Sequence, residues 1–142
     1  MLLAIFALVS LLYLGMHGGL SWLSLGNLAA QLALLFGFVF AALAFFKLER
    51  RYRQTVSAIL GVNIVVLVVY FPVALGGMAF GLDLEAMPFV WIRLGFFLWS
   101  VIMEAQIFAR ALSQPLVLGF MVEILYVLPS FSISEYFSPP VD

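Results

Sequence analysis

The sequence contains no cysteine and a single histidine. Without cysteine there is no disulfide framework, no thiolate metal site and no cysteine nucleophile. One histidine is too few for a multi-histidine metal centre or a haem-binding bundle. The sequence also lacks the Gly-x-Ser-x-Gly motif of hydrolases, a phosphate-binding loop and a dinucleotide glycine fingerprint. We therefore expect no metal, no cofactor and no enzymatic activity.

Charged residues are scarce as well, since they form 9% of the 142 residues, whereas soluble domains have about 25%. Hydrophobic residues form 66% of the chain, and the mean hydropathy is +1.23. Such a chain cannot cover itself with a polar surface, which excludes an ordinary soluble domain and a disordered chain. The net charge of −1 and the lack of a broad basic face argue against a nucleic-acid partner. The remaining class is a polytopic membrane protein surrounded by membrane lipids.

Long apolar runs are what the sequence offers instead. A helix that spans a membrane needs about 20 predominantly apolar residues. Five segments come close to this length: 2–22, 28–46, 55–80, 89–112 and 115–131, the last of which Pro129 is expected to close. Lipid offers the backbone no hydrogen-bond partners, so these segments are predicted to be helices. The predicted fold is all-α: a polytopic transmembrane bundle of four to five helices with short loops, forming one integral membrane domain over residues 1–142.

The first segment, 2–22, is marginal as a span because His17, Gly18 and Gly19 interrupt it. Its apolar start carries no lysine or arginine, so it lacks the positively charged region of a secretory signal peptide. We expect the segment to be retained, either as a fifth span or as a segment that lies in the membrane interface.

Basic residues are concentrated in one loop, 47–54, which contains Lys47, Arg50, Arg51 and Arg53. Cytoplasmic loops of membrane proteins carry an excess of lysine and arginine, so this loop is predicted to be cytoplasmic. The loop at 81–88 carries acids and no base, and it is then expected outside. The compact chain and its short loops favour a bacterial inner membrane as the location.

Each polar residue within the apolar segments calls for a structural or functional role, because charge inside a membrane is costly. Asn63, Glu104 and Glu123 lie on three different segments, each eight residues from an expected helix end. This spacing puts all three about 12 Å into the membrane, at one shared level. One interpretation is a proton or cation site, because two close carboxylates disfavour double ionisation. The other is interhelical hydrogen bonding that holds the bundle together.

Arg93 and Ser100 lie on roughly the same helical face as Glu104, because eleven residues bring a helix almost back into phase. In one interpretation this face lines a polar pathway from the outer membrane surface. In the other, it is the face that the helix turns into the bundle. Arg93 is also placed to reach lipid headgroups or to pair with an acid of the 81–88 loop.

Small residues recur every four positions in the second segment, at Ala29, Ala33, Gly37 and Ala41. This spacing lets two helix backbones approach closely. The small-residue stripe is interpreted either as a face for a partner or a second copy of the chain, or as a packing face inside the same bundle.

Three possible functions follow from these features. The first is a non-enzymatic accessory or assembly subunit of a larger membrane complex, which packs against another membrane protein. The short loops, the few functional residues and the small-residue stripe favour it. The second is a small oligomeric proton-coupled carrier or channel that uses Glu104 and Glu123. A third is a membrane-shaping protein that depends on loop 47–54 and on anionic lipid.

Overall fold

The computed structural model describes residues 5, 6, 10, 22–79 and 87–137. In this part of the chain the elements are α1 (Trp22–Phe45), a short 3-10 helix (Glu49–Arg51), α2 (Tyr52–Ala79), α3 (Met87–Leu112) and α4 (Leu116–Tyr136). All four α-helices are long and apolar enough to cross a membrane. The described residues contain no strand. The predicted all-α bundle is confirmed, and the chain is an integral membrane protein.

The predicted segment 2–22 lies outside the described residues, apart from residues 5, 6 and 10, which are helical, and Trp22, which begins α1. Each of the other helices extends beyond its predicted segment at one end. α1 and α2 begin at Trp22 and Tyr52, rather than at 28 and 55. α4 continues through Pro129 to Tyr136, so the prediction that this proline closes the helix is wrong. Transmembrane helices tolerate an interior proline because neighbouring helices and local adjustments satisfy the freed backbone groups.

α1 and α3 end in the same way, each followed by a residue in the left-handed backbone conformation. Lys47 has a φ of 57° and Ser113 has a φ of 54°. After α1, the Leu48 amide donates to the Leu43 carbonyl at 2.8 Å, and the equivalent bond after α3 measures 2.9 Å. These bonds satisfy carbonyl groups at the helix ends in the manner of a Schellman motif. Each of these turns is a short connection between two antiparallel helices.

The two ends of the bundle differ in composition. The end formed by these two turns, which we call the basic end, carries five of the six basic residues: Lys47, Arg50, Arg51, Arg53 and Arg110. Trp22, Trp91 and Tyr136 lie toward the opposite end and are exposed. Tryptophan and tyrosine are enriched at membrane–water interfaces. These three side chains therefore mark the second membrane boundary.

α3 and α4 approach each other closely at Gly119. A Cβ atom added there would collide with the Ala105 carbonyl oxygen and would lie 2.9 Å from the Ala109 Cβ. Ala105 and Ala109 are buried and lie one helical turn apart, so they form a small face on α3. Close backbone approach of this kind is a main source of helix association in lipid, where apolar burial alone gives no advantage.

The half of the bundle nearer the basic end contains an apolar core, and we call it the closed half. Three helices contribute its buried residues, which are Leu35, Val39, Leu43, Val56, Ile59, Leu60, Phe108 and Leu112. The Phe108 ring meets the Phe38 ring edge to face, with the ring centroids 6.1 Å apart. Side chains thus fill the centre of the bundle at this level.

Candidate functional site

A cavity of about 330 Å³ lies inside the bundle, between the closed half and the end opposite the basic end. All four helices contribute polar side chains to its wall: Gln31, Asn63, Ser100, Glu104, Glu123, Tyr126, Ser130 and Ser134. Apolar and aromatic side chains, among them Phe97 and Phe131, complete the lining. The volume is at the lower end of the range for small-molecule pockets. It equals the volume that about ten molecules of liquid water occupy.

Helical periodicity explains why α3 and α4 turn their polar residues inward. On α4, Glu123, Ser130 and Ser134 fall at positions i, i+7 and i+11, which share one face of a helix. On α3, Ser100 and Glu104 are four residues apart and share a face in the same way. The polar stripes of two adjacent helices therefore face each other across the cavity.

Glu104 is tied to α2 by a side-chain hydrogen bond. It is 4% exposed, and its Oε1 accepts a bond from Asn63 Nδ2 at 3.2 Å. The same amide nitrogen also donates to the Ile59 carbonyl at 3.1 Å. Asn63 thus links Glu104 to the backbone of α2, at the boundary between the closed half and the cavity.

Glu123 is more deeply buried and less well satisfied. Its side chain is 1% exposed, and within the described part of the chain its Oε2 atom has no hydrogen-bond partner. Glu104 lines the same cavity. Among the described residues that line the cavity there is no lysine or arginine. Two buried acids without a basic partner gain free energy when a proton or another cation binds between them.

A second polar pair joins α1 to α4 nearer the opposite end. Gln31 Nε2 donates to the Ser130 carbonyl at 2.9 Å, and Ser130 Oγ donates to Gln31 Oε1 at 2.7 Å. Ser130 lies seven residues after Glu123 on α4, which is about 10 Å along the helix. The cavity therefore has two polar levels: the carboxyl level at its floor and the Gln31–Ser130 level above it.

The structure brings together most of the polar residues that the sequence singles out. Asn63, Ser100, Glu104 and Glu123 all line the cavity. Arg93 does not line it and is exposed near the start of α3. Its expected acidic partners, in loop 81–88, lie outside the described residues. The helical face predicted for α3 thus contributes Ser100 and Glu104 to the wall, with Arg93 at the bundle exterior.

The small-residue stripe of α1 faces away from the bundle. Ala29, Ala33, Gly37 and Ala41 are all exposed. A Cβ atom added at Gly37 would meet no atom within 4 Å. Among the described helices, the close backbone contact is instead made by α3 and α4 around Gly119. The stripe is therefore free of the described bundle and faces its surroundings.

Three of the four residues named for the basic loop are exposed: Lys47, Arg50 and Arg53. Arg51 is half-buried and reaches the end of α3. Its Nη1 atom donates to the Ala111 carbonyl at 2.9 Å and to Ser113 Oγ at 2.8 Å. These bonds satisfy groups that a helix C-terminus leaves without partners. The positive charge also interacts favourably with the negative end of the helix dipole.

Reasoning from the sequence did not single out Ser130, Ser134 or Tyr126 as residues of the site. The signal was present for the two serines, since they repeat the helical spacing from Glu123. Tyr126 gives no such signal, because an aromatic residue in an apolar helix is usual at a lipid-facing or a core position.

Comparison with known protein families, with curated proteins and with solved structures finds no match. Within the described residues, no group of three or more histidine, cysteine, aspartate or glutamate side chains is arranged to hold a metal ion. The class of the protein therefore follows from its fold and cavity: an integral membrane helical bundle with a buried acidic pair.

Proposed function

We propose that this protein is a small proton-coupled carrier or channel in which Glu104 and Glu123 bind a proton or another cation. One observation carries the proposal: the Glu123 carboxyl is buried in a polar cavity, beside a second acid, and its Oε2 lacks a hydrogen-bond partner within the described residues. Ionisable residues inside a membrane are costly, and they commonly mark pathways for ions or protons.

A purely structural role explains Glu104 better than it explains Glu123. Asn63 bonds to Glu104 and joins α2 to α3, as polar residues do when they hold transmembrane helices together. Glu123 makes no such link through its Oε2 atom in the described part of the bundle. A glutamine at this position would give the same packing without the cost of a buried ionisable group. The carboxyl group of Glu123 is therefore the part of the site that needs a function.

The position of the cavity gives the proposed pathway a direction. Polar residues extend from the carboxyl level toward the end opposite the basic end, as far as Ser134. The closed half separates the same carboxyl groups from the basic end. A proton or cation would enter from the opposite end and bind at the acidic pair. Its release at the basic end would require the helices of the closed half to move apart.

Proton movement in reconstituted vesicles tests the proposal. Liposomes that contain the protein and an internal pH-sensitive dye are given a pH gradient, and then Na⁺, K⁺ or tetramethylammonium is added separately to the outside. A channel dissipates the gradient without an added cation, provided that a permeant counter-ion balances the charge, and a carrier does so when one cation is present. Glu123→Gln is expected to reduce proton flux to the level of protein-free liposomes. Glu104→Gln is expected to do the same.

Glu135→Gln is the matched control, because it makes the same substitution at an exposed position on the same helix as Glu123. It should leave proton flux unchanged. The proposal is overturned if wild-type liposomes behave as protein-free ones under every condition, or if flux persists in both buried-acid variants.

A second candidate function is an accessory or assembly subunit of a larger membrane complex. The specific observation in its favour is the exposed small-residue stripe on α1, which offers a close-packing face to another helix. Native mass spectrometry after gentle extraction would detect such a partner or a homo-oligomer. Gly37→Leu should remove the associated chain. Gly95→Leu, at another exposed glycine with no atom within 4 Å of an added Cβ, should not.

We also propose that the protein lies in a bacterial inner membrane with loop 47–54 in the cytoplasm. The concentration of basic residues at one end of the bundle supports this orientation. A reporter domain fused after Asp142 tests the orientation, because it should lie outside with either four or five spans. A reporter domain fused to the N-terminus tests the number of spans, because it should lie in the cytoplasm with five spans and outside with four.

A further inference from the structure

A second cavity, of about 470 Å³, lies between α2 and α3 at the basic end. Its lining is Arg51, Gln54, Thr55, Ala58, Ile107, Arg110 and Ala111. We call it the interfacial groove. It shares no lining residue with the cavity that holds the acidic pair, so it needs a separate explanation.

Two arginines, one from each side, give the interfacial groove a positive charge. Arg51 precedes α2, and Arg110 lies in the last turn of α3. Among the described lining residues there is no aspartate or glutamate. Gln54 adds an amide group that can donate hydrogen bonds. The groove thus combines two positive charges with an uncharged donor, a combination that suits a phosphate group.

Arg51 is held in position by the end of α3. Its Nη1 atom donates to the Arg110 carbonyl at 3.1 Å, to the Ala111 carbonyl at 2.9 Å and to Ser113 Oγ at 2.8 Å. All three bonds use the same nitrogen, so they leave the other N–H groups of the guanidinium for a ligand. A preorganised guanidinium loses less side-chain entropy when it binds an anion.

The depth of the groove indicates which class of phosphate compound it binds. Arg51 and Arg110 lie at helix ends, where the membrane meets water. Ile107 and Ala58 continue the groove about one to two helical turns deeper, where lipid chains begin. The small side chain of Ala58 leaves room there. The groove therefore changes from basic to apolar in the same direction as a lipid changes from headgroup to acyl chain.

We propose that the interfacial groove binds one anionic lipid, with its phosphate between Arg51 and Arg110 and the start of an acyl chain against Ile107. Basic pockets between transmembrane helices are known to bind acidic headgroups. This site is independent of the proton site, and its test does not measure transport.

Native mass spectrometry of the protein in mixed micelles tests the proposal. The micelles contain phosphatidylglycerol and phosphatidylcholine in equal amounts, and the measured quantity is the ratio of the two lipids retained per chain. Wild-type protein is expected to retain one phosphatidylglycerol preferentially. Arg110→Gln should lower that preference about fivefold, because it removes one charge beside the phosphate. Arg51→Lys keeps the charge but loses the planar geometry, and it should give a smaller loss.

Two matched controls separate a built site from general attraction to a basic surface. Arg53→Gln removes an exposed charge at the same end, outside the groove, and Arg93→Gln removes one toward the opposite end. Neither should change the preference. The proposal is overturned if Arg53→Gln lowers the preference as much as Arg110→Gln, or if wild-type protein shows no preference.

Soluble phosphate is the other source of the same chemistry, and a second titration distinguishes it. Inorganic phosphate and glycerol phosphate are added at millimolar concentration to protein that holds phosphatidylglycerol. A lipid site keeps its lipid, because the acyl chain adds binding energy that the soluble anions lack. Displacement of the lipid by either soluble anion would overturn the lipid assignment.

Discussion

The two halves of the bundle are built from the same helices and yet have opposite interiors. In the closed half, inward positions carry leucine, valine, isoleucine and phenylalanine, and they fill the space. In the other half, Tyr70, Ala74 and Phe89 are buried, but the positions around the cavity of about 330 Å³ carry serine, glutamine and two acids. All four helices are apolar enough to cross a membrane. The comparison teaches that a few inward positions, and not overall hydropathy, decide where such a bundle is open.

The forces that hold the two halves together also differ. Lipid chains are as apolar as leucine, so burial of apolar surface drives little association in a membrane. The closed half therefore depends on close packing, such as the contact of Gly119 with Ala105 and Ala109. The cavity half combines packing, such as that of Gly77 against the Phe89 ring, with hydrogen bonds across helices, such as those of Gln31 with Ser130. Substitutions in the two halves should accordingly have different consequences.

The largest effect is expected from Gly119→Leu. The new side chain would collide with the backbone of α3 at Ala105, so α3 and α4 must separate. We expect loss of the folded protein, measured by size-exclusion chromatography and thermal unfolding in detergent. Gly95→Leu is the control in the other half, because nothing lies within 4 Å of its added Cβ. A stable Gly119→Leu variant would contradict the close approach of α3 and α4.

The difference in water access can be measured directly, because the chain has no cysteine of its own. Val127→Cys places a thiol on the cavity wall, and Val39→Cys places one in the apolar core. A membrane-impermeant thiol reagent needs water, so it should modify residue 127 at least about tenfold faster than residue 39. Reaction should occur from the side opposite the basic end. Equal rates at the two positions would show that the closed half is not sealed.

Removal of an aromatic ring should lower the free energy of unfolding more in the closed half than at the cavity. Phe108 is 0% exposed, whereas Phe97 lines the cavity and is 38% exposed. In lipid the cost of Phe108→Ala is mainly the lost packing around a new void, about 2 kcal/mol. Phe97→Ala leaves no enclosed void and should cost less than about 1 kcal/mol. Thermal unfolding of both variants in the same detergent measures the two losses of stability. Equal losses would contradict the prediction.

Much of the fold could be predicted from the sequence, because each long apolar run must form a helix in lipid. The boundaries could not, since hydropathy does not record where a helix continues past the apolar run. α4 shows the reason: it passes through Pro129 and includes a polar stretch up to Tyr136. Proline removes one backbone hydrogen bond, and in this helix that loss is not enough to end it.

The candidate site was partly predictable for a related reason. Counting residues from expected helix ends put Asn63, Glu104 and Glu123 at one level, and all three line the cavity. Counting could not show which way each helix is rotated, so it did not separate Arg93 from the polar wall. It also left two interpretations for the stripe that contains Gly37, because rotation decides whether a face meets the bundle or its surroundings. Rotation depends on contacts such as that at Gly119, which no single helix reveals.

The smallest expected effect concerns the bonds that join α1 to α4 beside the cavity. Gln31→Leu removes both bonds between Gln31 and Ser130, whereas Ser130→Ala removes only the bond from the hydroxyl group. Hydrogen bonds between transmembrane helices are worth about 0.6 kcal/mol each. Gln31→Leu should therefore destabilise the bundle about twice as much as Ser130→Ala.

A double-mutant cycle gives this last prediction its sharpest form, with thermal unfolding in detergent as the measurement. In the Gln31→Leu background, Ser130→Ala should cause no further loss of stability, because the Ser130 hydroxyl has already lost its acceptor. Ser132→Ala is the control on the same helix, since the Ser132 hydroxyl bonds within α4 to the Leu128 carbonyl. If the effects of Gln31→Leu and Ser130→Ala simply add, the two residues are not coupled. Packing, and not these hydrogen bonds, would then hold α1 against α4 beside the cavity.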